Sequence, residues 1–471
     1  MKMKKLTILT AIAAITFLGV NTTTLKAQDN GDFKPSGNLW GYVFGDYAYK
    51  THNDTMQRGG GNVQYKGTSA LSSGNAIQAY PANATPAQIA ATNEANAMAI
   101  SNQTNAFQLR RVYLGYDYDF ARNFTAQVVL ANEQNFDASG KNTVYLKYAN
   151  LKWKNIFKGC DLVVGQYQTC SFANEGNTEP LWGYRSSERT IMDLHNTDGS
   201  TDLGVSLQGK IMYKDDSLKK MFIGYSVQVG NGNSAVPETD VFKKFRGNVY
   251  VAFLKQRLLI GLYGDYATQQ FSPYHTSNST YKAYASYRAD RFAIGVEAFQ
   301  QVNLNSDVYQ VATVTNNVAS TSGAIVNTKS GVQMGYSVFA SGTILKNKTT
   351  NQSMLGLFAR LDMYNPDTKY NKDNVYTGVY SGIKGSNLTT ATFYNQTFIN
   401  GGIDWCPNPR VHIMPNIWYN IYKTDMTTAS ADGTGSNLGS RVKMDNDMVY
   451  RLTFHFLFNV KKKVANSGMN Y

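Results

Sequence analysis

Few side chains in this sequence stand where a reaction would need them. There are five histidines and three cysteines in 471 residues. No serine sits in the Gly-x-Ser-x-Gly frame that presents a hydrolase nucleophile, so catalysis is not expected. Asp404, Cys406, His412 and His455 are of metal-binding type and share one face of neighbouring segments. Such groups can hold a divalent cation, but no closely spaced ligand motif frames them. They are read as solvated polar groups, with no metal and no cofactor expected.

The remaining chemistry is charge. Lys and Arg number 45 against 32 Asp and Glu, a net charge of +13. Arg185 and Arg189 flank Glu188 in a stretch rich in aromatic residues and acids. A second set comprises Arg111, Lys147, Lys210, Arg246, Lys282, Arg288, Arg360 and Arg451, each within a segment that alternates polar and apolar residues. Bases held in a narrow, low-dielectric passage attract anions. Paired with acids such as Glu179, Glu188, Asp117, Asp265, Glu297, Asp362 and Asp404, the same bases would brace a wall. The positive charge is dispersed, with one short run at Lys461–Lys463, so a nucleic-acid partner is not expected.

These charges must be positioned by strands. From Arg111 to Phe120, the set Arg111, Tyr113, Gly115, Asp117, Asp119 alternates with Val112, Leu114, Tyr116, Tyr118, Phe120. Period 2 is the mark of a strand whose faces meet different surroundings. The pattern recurs, predicting about sixteen strands, at 39–49, 107–120, 124–131, 144–153, 161–168, 201–213, 220–230, 245–254, 258–269, 281–288, 292–304, 332–345, 353–364, 392–405, 411–424 and 447–458. In the last, Tyr450, Leu452, Phe454, Phe456 and Phe458 oppose Arg451, Thr453 and His455. Residues 86–100 are read as a short helix.

Connections such as 121–123, 255–257, 289–290 and 407–409 are tight, while 169–200, 231–244, 305–330, 365–391 and 425–446 are long. A soluble sandwich has no reason to sort its connections this way. An outer-membrane barrel does, with short periplasmic turns and long external loops. The 32 Tyr and 23 Phe suit aromatic girdles, and 10 Pro suit uninterrupted ladders. No apolar run after the leader approaches the length of a membrane helix, and mean hydropathy is −0.35. The fold class is therefore all-β, a transmembrane antiparallel β-barrel of about sixteen strands. Charge facing lipid would cost a few kcal/mol at mid-membrane, about 2–4, so the charged sets are expected to face inward. A barrel of that size encloses water.

The chain begins with a basic Met1–Lys5 and an apolar 6–20, the form of a secretory signal peptide ending at Ala27. Residues 28–38 are read as a short periplasmic segment, 39–458 as the barrel and 459–471 as a periplasmic tail. Cys160, Cys170 and Cys406 are too few and scattered for a disulfide framework.

Several segments resemble the phosphate-selective porin O and P family of Gram-negative outer membranes. Arg110-Arg-Val-Tyr-Leu-Gly115 is similar to its Arg-Arg-Ala-Arg-Leu-Gly strand, and Val164-Gly-Gln-Tyr-Gln-Thr169 to its Val-Gly-Gln-Phe-Lys strand. Ser187-Glu-Arg189 resembles an element of the family's third external loop, and Leu203-Gly-Val205 the strand that follows. The similarity spans roughly residues 107–213. It implies a homotrimeric porin in the outer membrane, whose third loop folds inward and presents Arg185, Arg189 and Glu188 at a constriction. It also implies passage of small anions such as phosphate. Here Gln168 replaces the family lysine, and Glu175, Glu179 and Glu188 oppose the arginines, so the preference is expected to be mild. A non-selective pore for small polar solutes, and a surface adhesin with a blocked lumen, are the alternatives.

Overall fold

The computed structural model describes residues 33–52, 85–91, 105–133, 141–171, 173–174, 177–178, 189–212, 221–254, 257–270, 275–310, 313–315, 318–320, 326–369, 375–376, 395–423 and 445–458. The leader, the C-terminal tail, Arg185 and Glu188 lie outside these residues, as do Glu175 and Glu179.

Sixteen strands form the wall. They are β1 (Ser36–His52), β2 (Asn105–Ala121), β3 (Phe124–Asn132), β4 (Tyr145–Phe157), β5 (Cys160–Gln168), β6 (Thr201–Met212), β7 (Phe222–Gly230) and β8 (Lys244–Phe253). They continue as β9 (Leu258–Gln270), β10 (Thr276–Arg288), β11 (Phe292–Gln310), β12 (Val326–Lys346), β13 (Ser353–Asn365), β14 (Asn395–Asn408), β15 (Val411–Lys423) and β16 (Asp445–Phe458). Each pairs antiparallel with the next. β16 pairs with β1 from Gly41↔Phe458 to His52↔Met448, which closes the barrel. Sixteen strands spaced about 4.8 Å apart and tilted about 40° enclose a tube roughly 30 Å across. Among the described residues, no helix is long and apolar enough to cross a membrane.

Alternation fixes the two faces. Leu114, Tyr116, Tyr118 and Phe120 of β2 are exposed outward, while Arg111 and Tyr113 are buried inside. In β13, Leu357, Leu361 and Met363 point out, and Phe358, Arg360 and Asp362 point in. Tyr116, Tyr118, Phe120, Phe124 and Trp153 stack in sequence on the outer face, with ring centroids 5.3–6.4 Å apart. Such a belt suits the interface between water and lipid.

Some strands outrun the sequence pattern. β10 starts at Thr276 rather than 281, and β11 runs on to Gln310 rather than ending at 304. The residues added to β10, Thr-Ser-Asn-Ser-Thr, are polar at every position. Strand beyond a membrane's hydrocarbon needs no apolar face, so alternation fades there although the ladder continues. Within the predicted helix, residues 86–91 are helical. Gly165, in the Val164-Gly-Gln motif, has φ +118°, and a Cβ there would lie 2.4 Å from the Ala149 carbonyl oxygen. Only glycine fits.

Candidate functional site

Between β5 and β6, residues 189–200 lie inside the barrel. Their short helix α1 (Ile191–Leu194) is capped by Thr190, whose hydroxyl accepts from the Asp193 N–H at 3.3 Å. Ile191 and Met192 are fully buried although they stand inside a charged tube. The barrel supplies apolar partners on two sides. Leu194 packs with Ala48, Phe398, Trp418 and Val449 from the inner faces of β1, β14, β15 and β16. Ile191 and Met192 pack with Cys170, Tyr263 and Phe299, and Tyr364 lies against that cluster. The helix therefore bridges the lumen.

The root of the segment is held by polar bonds. Asp198 receives Arg246 Nε at 2.8 Å and Lys244 Nζ at 2.8 Å, while Arg246 Nη1 reaches Asp202 at 2.6 Å. Burial pushes the Asp198 carboxyl up, but Arg246 and Lys244 outweigh it and hold the group well below the usual carboxylate range. Asn248 Nδ2 donates to the Cys170 carbonyl at 3.1 Å, and Lys282 Nζ to that of Ser171 at 2.8 Å. Gln301 Nε2 donates to the Thr197 carbonyl at 2.9 Å. His195 stacks on the Tyr364 ring at 3.4 Å. Burial, aided by the charge of Arg360, lowers its pKa to about 3, so it stays neutral.

Most of the bases singled out in the sequence meet acids here. Arg111 lies 3.6 Å from Glu133 and 3.4 Å from Asp193 of α1. Lys147 contacts Glu133 at 3.0 Å, and the Ser200 hydroxyl accepts from it at 2.9 Å. Glu133, just past β3, is raised by burial but lowered further by Lys147 and Arg111, to about 2. Lys282 pairs with Glu297 at 3.1 Å, Arg360 Nε with Asp362 at 2.8 Å, and Arg451 with Asp46. Lys210 places its ammonium 4.8 Å from the Phe222 ring centre. Arg288 is half-buried at the end of β10, its N–H donating to the Arg257 carbonyl at 2.8 Å. Arg189 is half-buried, and its carbonyl accepts from Arg360 Nη1.

Sequence reasoning missed Glu133, Asp193, Asp198, Asp202 and Asp46 as partners, and the apolar triad Ile191, Met192, Leu194. One signal was available. Phe358, Phe398, Trp418 and Tyr422 sit at inward positions of strands whose outward positions are also apolar. A wall apolar on both faces needs an apolar cover inside.

Three cysteines, Cys160, Cys170 and Cys406, are buried and unbridged. Burial raises the Cys170 thiol to about 12, leaving it inert. Asp404, Cys406 and His412 converge on the inner wall near the turn at 409–410.

No protein-family model matches the sequence, and a search of curated proteins finds no match. Solved structures do match in fold. The outer membrane channel DcaP of Acinetobacter baumannii aligns with 90% of this chain and 97% of its own, at 11% identity and TM-score 0.50. An anion-selective porin from Comamonas acidovorans aligns with 90% and 100%, at 10% identity and TM-score 0.49. OmpT, an outer membrane protein of Vibrio cholerae in trimer form, aligns with 90% and 100%, at 9% identity and TM-score 0.47. At 11% identity the likeness to DcaP is one of fold alone.

Proposed function

We propose that this chain is an outer-membrane porin, a passive channel for small polar solutes with a mild preference for anions. The observation that carries the reading is a closed barrel that is apolar outside and charged within, with the helix Ile191–Leu194 seated inside it. The shared fold with an outer membrane channel supports it. In this reading the tight turns face the periplasm, the exterior meets lipid, and three copies assemble. Arg185 and Arg189 face the permeating ion at the narrowing, as the family resemblance implies. Because so many inward bases are matched by acids, the wall itself contributes little net field. Any anion preference then falls to the inward segment, and a specific preference for phosphate rests on the resemblance alone.

The test is reversal potential in a KCl gradient across a planar bilayer. The double change Arg185→Glu, Arg189→Glu should move the potential toward cations, because screening over about 8 Å leaves charges in a confined pore strongly felt. An unmoved potential in correctly folded protein makes these arginines structural. A second reading, the blocked barrel, is favoured by α1 touching both walls; its signature is a folded protein with no measurable conductance.

A further inference from the structure

We infer that Asp404, Cys406 and His412 form a site for a borderline divalent cation of the zinc type on the inner wall near the turn end of the barrel. The inference needs the barrel and not the channel reading. The three donor atoms already form a compact triangle. Cys406 Sγ lies 3.2 Å from His412 Nδ1 and 3.3 Å from Asp404 Oδ1, and His412 Nδ1 lies 2.9 Å from Asp404 Oδ1. Zinc bonds of about 2.0–2.3 Å at tetrahedral angles need donor separations of about 3.3–3.5 Å. Each edge must lengthen by only a few tenths of an ångström, within reach of small side-chain rotations.

The backbone brings the three together by an irregularity. Along β14 and β15, pairing passes from Trp405↔Ile413 to Asn408↔Val411, so Cys406 and Pro407 together oppose His412. That is a bulge of two residues against one, a device that re-aims side chains. Pro407 has no N–H to give the ladder. Pro415 stands in the adjoining stretch, where pairing steps from Gly402↔Asn416 to Trp405↔Ile413 past Asp404. Two prolines thus frame the ligand-bearing piece of the wall. His455 sits directly across from His412 on β16, their rings 5.7 Å apart, within reach of the fourth position.

The donor set selects the ion. A thiolate with an imidazole disfavours magnesium and calcium, which take oxygen ligands, and suits zinc or cobalt. Binding displaces the thiol proton. Carboxylate and thiolate then balance the dication, so the loaded site itself carries no net charge. All three ligands are at most 7% exposed, which keeps competing water away.

The test is titration of chelator-treated, detergent-folded protein with cobalt chloride. We expect one cobalt per chain, with thiolate-to-metal charge-transfer absorption in the near ultraviolet, displaced by zinc. Cys406→Ser should abolish that absorption. His412→Gln and Asp404→Asn should weaken binding by about tenfold or more, since even outer-shell partners contribute about that much. The double variant Cys160→Ser, Cys170→Ser should keep the full signal, with heat-modifiable gel mobility reporting folding throughout. Absence of the absorption in the unaltered protein overturns the proposal, and so does a signal that survives Cys406→Ser.

Discussion

The inward segment is held by different physics on its two sides. At its root, Asp198 is bound by Arg246 and Lys244, with Asp202 sharing the same guanidinium. Across the lumen, Leu194 rests on Ala48, Phe398, Trp418 and Val449, an apolar seat with no direction of its own. Ion pairs and hydrogen bonds fix orientation, and removing one partner strands a buried charge. Apolar contact is tolerant of sliding and scales with area. The root therefore sets where the segment enters, while the far side sets how firmly it lies across the opening. Any movement of the segment should begin at Leu194.

Three experiments separate the two sides, the root first. Arg246→Met leaves Asp198 and Asp202 without their shared guanidinium, a loss of about 3–5 kcal/mol. The temperature at which the folded gel band converts to the unfolded one should fall sharply, and an unchanged temperature would mean that Lys244 alone suffices. Leu194→Ala should cost less, about 2–3 kcal/mol, and locally. Conductance should rise or become noisy while barrel melting stays near that of the parent. A large drop in barrel melting would make the far side as structural as the root.

The last experiment concerns acidity. His195 titrates near 3 when docked against about 6.5 when free, so the undocked state takes up the proton first. Docking is therefore strongest above about pH 6.5 and weakens as pH falls toward 3. Conductance measured between pH 7.5 and pH 4.5 should change in the parent and flatten in His195→Gln. Equal pH profiles would place the sensitivity elsewhere.

The wall was legible in the sequence because lipid and water impose opposite demands on alternate residues. Runs such as Leu357-Phe-Ala-Arg-Leu-Asp-Met363 record both faces. The start of β10 was not legible, since Thr276–Thr280 is polar at every position and carries no alternation. Arg111, Lys147, Arg246, Lys282, Arg360 and Arg451 are buried, and alternation does not record which acids they meet. Arg111 finds Asp193 from a segment folded in from another part of the chain, and nothing local to either residue records that meeting. Asp404, Cys406 and His412 could be assigned to one face by counting. Their convergence depends on a bulge at Pro407, which shifts the count in a way that alternation does not report.

The closure of β16 onto β1 has a consequence for how the barrel comes to exist. Asp46 and Arg451, joined across that seam, stand 405 residues apart in the chain. Bringing such distant points together carries an entropy cost of about 5 kcal/mol from chain length alone. Contacts of this separation are slow to form, and this one requires β16 to have been made. Until then two strand edges carry unsatisfied N–H and C=O groups, which neither lipid nor a crowded aqueous compartment tolerates. Pairing of β16 with β1 removes the last unpaired strand edges of the wall.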